Sequence, residues 1–108
     1  MNTNVPECWS TDPNARSVLI ELASDHSVLL ALDHFTFSEL TRERGEEQLR
    51  LVFASHEVLI RGNCLERIES AMQTGKLSFV RRLPAHVKHL IKDRHPMISE
   101  ISVSEVQP

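Results

Sequence analysis

What this chain has little of narrows its possible functions before any motif is read. It has no tyrosine, one tryptophan and four phenylalanines among 108 residues, so a nucleic-acid surface built on stacked aromatic rings has few rings to draw on. Three glycines are scant material for loops that cradle phosphates, and no phosphate loop, CxxC pair, nucleophile elbow or spaced carboxylate set is present. Two cysteines, Cys8 and Cys64, are too few for a disulfide framework, and reduced thiols are expected. No apolar run approaches the roughly 20 residues that a membrane-spanning helix needs. The start, MNTNVPECWSTDPNAR, lacks both a basic n-region and an apolar h-region. A cytoplasmic chain with no membrane partner is the expectation. A net charge of −3 supplies no global field toward nucleic acid or anionic lipid, so any such attraction must be local.

What is present describes an ordinary globular domain. With 41% hydrophobic and 25% charged residues the chain has a core to bury, and splitting it would leave two pieces too small to do so. Residues 1–15, with Pro6 and Pro13 among Asn, Thr, Ser and Asp, show no period and read as a flexible N-terminal arm. Trp9 within it is expected to dock on its own domain, because a large apolar ring gains by burial wherever it can reach. Residues 16–106 form the single domain.

Alternation sets the strands. Val18, Ile20 and Leu22 fall on one face of SVLIELA, and SVLLAL follows after Ser24, Asp25 and His26. FTFSELTR continues extended with Phe35 and Phe37 on one side, ERGEEQ supplies a charged turn, and Leu49, Leu51 and Phe53 alternate beyond it. EVLIR is the next strand. Asn63 then suits an N-cap with Glu66 completing a capping box, Leu65, Ile68, Ala71 and Met72 recur at helical spacing, and Gly75 suits the left-handed end. This predicts a helix over 64–74. LSFVRRL reads as a strand, Pro84 opens a second helix that Pro96 ends, and ISEISVSEV is the last strand. The fold class expected is α+β: a small, mainly antiparallel sheet of about five to six strands, with two helices packed on one face or end.

Few chemical constellations stand on this scaffold. Ser24, Asp25 and His26 supply the residue types of a hydrolase triad, but neighbours along an extended chain point to opposite faces and do not converge. Their simpler role is to satisfy a turn, and the same holds for Ser55, His56 and Glu57. The echo between LASDHSVLL and FASHEVLI reads as coincidence, since β-rich sequences draw on few turn residues. Cys64, at the first position of the predicted helix, would have a stabilised thiolate, yet no base accompanies it. On the second predicted helix His86, His89 and Asp93 fall within roughly a 60° sector, a ligand set suited to zinc or another divalent metal.

The strongest signal is electrostatic. Residues 76–95 hold Lys76, Arg81, Arg82, Lys88, Lys92 and Arg94 against Asp93, so this segment carries +5 and the rest of the −3 chain −8. Gathered on one surface these cations would hold a phosphate backbone or an acidic partner; dispersed, they pair with the acids between Glu39 and Glu47. Elimination leaves a non-enzymatic protein-binding or assembly module that self-associates as a homo-oligomer, with no cofactor implied. Nucleic-acid binding through the basic region is the first alternative, and metal binding through His86, His89 and Asp93 the second.

Overall fold

The computed structural model describes residues 7–84 and 94–106. Strand takes up 60% and helix 12% of them. Eight strands run in chain order as β1 (Trp9–Thr11), β2 (Ser17–Ala23), β3 (His26–Ala31), β4 (Phe35–Glu43), β5 (Glu46–Phe53), β6 (His56–Asn63), β7 (Leu77–Arg81) and β8 (Met97–Glu105). One helix, α1 (Glu66–Gln73), lies between β6 and β7. The strands divide into two four-stranded sheets, the first in the order β1-β7-β2-β3 and the second in the order β4-β5-β6-β8.

This overturns the expected single sheet of five to six strands with two helices: among the described residues there are eight strands in two sheets and one α-helix. The physical reason lies at Leu32–His34, a single 3-10 turn that interrupts the extended chain and hands it from one sheet to the other. On one side of that turn the Leu32 amide donates to the Arg16 carbonyl of the first sheet, and on the other the Ala54 amide donates to the His34 carbonyl. The second expected helix, beginning at Pro84, falls largely outside the described residues. Part of the expected flexible arm is a strand: Trp9 pairs with Val80 and Ser10 with Phe79. Trp9 packs against the core, and Cys8 beside it is buried.

Both sheets feed one core. Val18, Ile20 and Leu30 come from the first, and Leu49, Leu51, Phe53, Val58, Ile60 and Ile98 from the second. Leu65, Ile68, Ala71 and Met72 come from α1 and the residue before it. The helical stripe and the alternation of β2, β5 and β6 are therefore as the periodicity predicts. Phe35 and Phe37 differ. The ladder slips between them, so that Phe35 faces Phe53 and Phe37 faces Val52. Phe35 thus meets Phe53 edge to face in the core, with centroids 5.6 Å apart, while Phe37 is exposed on the opposite side.

The helix start also differs from the predicted capping box. Asn63 stays in β6, opposite Met97, Cys64 is in the left-handed region at φ 58°, and α1 begins two residues later. The Leu65 amide donates to Glu47 Oε1 at 2.8 Å, so a carboxylate from β5 does what a local cap does elsewhere. Helix α1 ends as expected, with Gly75 at φ 70° and the Lys76 amide returning to the Ala71 carbonyl. Gly62 answers a different need: a Cβ there would overlap the Met97 carbonyl oxygen, where β6 and β8 slip register.

Candidate functional site

Among the described residues, the clusters singled out from the sequence do not come together as catalytic or ligand sets. Ser24 and Asp25 form the turn between β2 and β3, and Ala54 and Ser55 the turn between β5 and β6. His26 and His56 each open the second strand of a hairpin, in different sheets. The Ser55 hydroxyl and His56 Nδ1 are hydrogen-bonded at 2.7 Å, but Glu57 is bound by Arg50 and does not orient the imidazole. His86, His89 and Asp93 lie outside the described residues. Cys64 precedes the helix rather than opening it. Burial pushes the Cys8 thiol up to about 11, and its Sγ donates to the Pro96 carbonyl at 3.3 Å.

Of the basic residues, Lys88 and Lys92 also lie outside the described residues. Lys76 precedes β7 and Arg81 ends it, so the two are separated by the length of the strand, about 17 Å at 3.3 Å per residue. Arg81 spends its Nε on the Glu7 carbonyl at 3.0 Å. Arg82 and Arg94 are exposed, and next to Arg82 the Leu83 amide joins the Ile98 carbonyl. In the acid-rich β4–β5 hairpin, Glu39 and Glu47 are paired with arginines of their own sheet. Arg42 pairs with Glu47 at 2.8 Å, Arg50 with Glu39 at 3.6 Å and with Glu57, and Arg61 with Glu100 at 3.7 Å. A concavity of about 470 Å³ at this hairpin has Glu43, Arg44, Glu46, Glu47 and Arg61 in its wall. Glu47 is already committed there. Burial pushes its carboxyl up, but the hydrogen bonds from Arg42 and the Leu65 amide, with the Arg42 charge, outweigh that and hold it below its ordinary value.

The first sheet presents a different surface. Leu19 stands between buried Val18 and Ile20, so its side chain points out of the sheet. Across the ladder Leu19 is level with Phe79 on β7 and with Leu29 on β3. These three make an apolar row on the outer face that runs to the edge of the sheet, where Leu29 is 64% exposed. Leu29 is the exposed end of this row, and Leu19 and Phe79 behind it are half-buried.

Among the described residues the edge itself is also unguarded. Sheet edges are usually protected by charge, proline, a bulge or brevity. Of the other outer strands, β1 is three residues long, β4 carries Glu39, Arg42 and Glu43, and β8 carries Glu100 and Glu105. Strand β3, HSVLLA, has six residues with no Asp, Glu, Lys, Arg or Pro, and its slip in register is confined to the hairpin end near Ala23. The hydrogen-bond phase identifies which of its backbone groups face outward. Because the Leu32 amide donates to the Arg16 carbonyl, the hydrogen-bonded pairs step by two to Val18 with Leu30 and Ile20 with Val28. Ser27, Leu29 and Ala31 therefore turn their N–H and C=O groups to the far side, and among the described residues no strand pairs with them. Nothing in composition or spacing marks this edge; only the strand order reveals it.

No helix among the described residues is long and apolar enough to cross a membrane. Comparison with known proteins adds no relative: no family model matches the chain, no curated protein sequence matches it, and no solved structure matches it.

Proposed function

We propose that this chain is a non-enzymatic assembly module that associates with itself through its first sheet. The observation that carries the reading is β3: an outer strand of six residues without charge or proline, whose outward backbone groups are unpaired among the described residues and which ends an apolar row in an exposed leucine. Such an edge is a template for another strand. Pairing would satisfy the Ser27, Leu29 and Ala31 groups with protein rather than water, and an apolar pair across the new ladder contributes about 0.2–1 kcal/mol. The charged outer face of the second sheet stays in water and keeps the assembly from growing on that side.

Light scattering on the eluting protein at micromolar concentration tests this. A discrete dimer or larger closed species is expected, and Leu29→Lys, which sets like charges against one another at the edge, should raise the dissociation constant about tenfold or more. A strict monomer at that concentration would overturn the proposal.

A further inference from the structure

The partner and the register follow from the same edge, and this step rests on the self-association reading above. We infer that two copies pair β3 with β3 in antiparallel fashion about a two-fold axis, with Leu29 facing Leu29 of the second copy, so that two four-stranded sheets become one continuous sheet.

Three observations select this arrangement. Outward groups must meet outward groups in an antiparallel ladder, which limits the pairing to the set Ser27, Leu29 and Ala31. Centring the pair on Leu29 engages all three residues of both copies: Leu29 with Leu29, and Ser27 with Ala31 twice. A shift by two residues in either direction leaves one of them opposite the hairpin turn at Asp25 or the 3-10 turn at Leu32–His34, and loses that contact. A shift by one would set outward groups against inward ones.

The side chains agree with the backbone. In the centred register the row Phe79, Leu19, Leu29 meets its own copy head-on, giving an uninterrupted apolar row across the joined sheet. Small residues, Ser27 and Ala31, face each other on either side of it, so no bulky or like-charged pair opposes the approach. The strand is thus complementary to itself, which is what a two-fold interface demands. The edges of the second sheet lack this property: β4 and β8 carry charges along their length.

Cysteine cross-linking reads the register directly. In the full-length chain with Cys64→Ser, and with Cys8 retained because it is buried, Leu29→Cys places two thiols on facing residues. Facing Cα atoms in a hydrogen-bonded pair lie about 5.5 Å apart, within the usual disulfide range. A mild added oxidant should convert the Leu29→Cys protein to a covalent dimer. Ser27→Cys alone should remain uncross-linked, because its copy is four residues along the ladder. A mixture of Ser27→Cys and Ala31→Cys chains should cross-link. A dimer in light scattering that cross-links through Ser27→Cys alone, or through none of the three, would overturn this interface and leave self-association standing. A monomer in light scattering would overturn both.

Discussion

Across the outer face of the second sheet, Arg50 is level with Glu39 and Leu59 and pairs with Glu39 and, diagonally, with Glu57, its guanidinium carbon 5.5 Å from the Phe37 ring centroid. The equivalent row on the first sheet is Phe79, Leu19 and Leu29. The two sheets close the same core, yet one turns ion pairs outward and the other an apolar stripe. Their connectivity differs in step. In the second sheet β4, β5 and β6 are consecutive hairpins, the first closed by Arg44 and Gly45, both at positive φ as a two-residue turn of matching twist requires. The first sheet is assembled from far along the chain, with β2 parallel to β7 and β1 antiparallel to it. The second sheet thus meets solvent largely with paired charges, whereas among the described residues the first leaves the outer side of β3 without a strand partner.

The largest expected effect breaks the second sheet from within. Gly62→Ala would drive a methyl group into the Met97 carbonyl, and no flexible side chain is there to yield. We expect a loss above about 4 kcal/mol, at the extreme of single substitutions, read as a large drop in denaturant midpoint or as failure to fold. A variant as stable as the parent would show that β6 and β8 do not approach in this way.

A shared core makes a second claim on the comparison. Ile20 of the first sheet and Ile60 of the second are both fully buried, so Ile20→Ala and Ile60→Ala should each cost about 2–5 kcal/mol. Both variants should still unfold in a single transition. If Ile20→Ala instead melts in two steps, with half the strand signal surviving the first, the sheets are independent and the single core is wrong.

What the sequence made legible divides along the same lines. Alternation identified β2, β5 and β6 and the residues they bury, and helical spacing identified the inner stripe of α1, because both signals are local. Strand order is not local: nothing in SVLIELA says that its neighbour is LSFVR, so two sheets read as one. A three-residue strand such as β1 carries no period at all and exists by pairing with residues some seventy positions on. Asn63 read as a cap because the true acceptor, Glu47, lies eighteen positions before the Leu65 amide it caps. The proposed site was invisible for the same reason. HSVLLA looks like any half-buried strand until the topology leaves it outermost, and of the basic residues Lys76 and Arg81 stand at opposite ends of β7.

The smallest effect concerns Glu47, which ties the second sheet to α1. Its carboxylate accepts from Arg42 Nε and from the Leu65 amide, both at 2.8 Å. Glu47→Gln keeps an acceptor for the amide but loses the charge, and about 1 kcal/mol of stability at neutral pH is expected to go with it. The pH dependence distinguishes this from simple repacking. A carboxyl held below its ordinary value of 4.5 stabilises the fold while ionised, fully above that value, and the contribution fades as pH falls through the lower folded value. The glutamine has no proton to take up. Denaturation of both proteins at neutral pH and again near about pH 3 should therefore show the gap closing on acidification. A gap that stays constant with pH would mean that Glu47 acts through packing alone and that the helix start owes nothing to its charge.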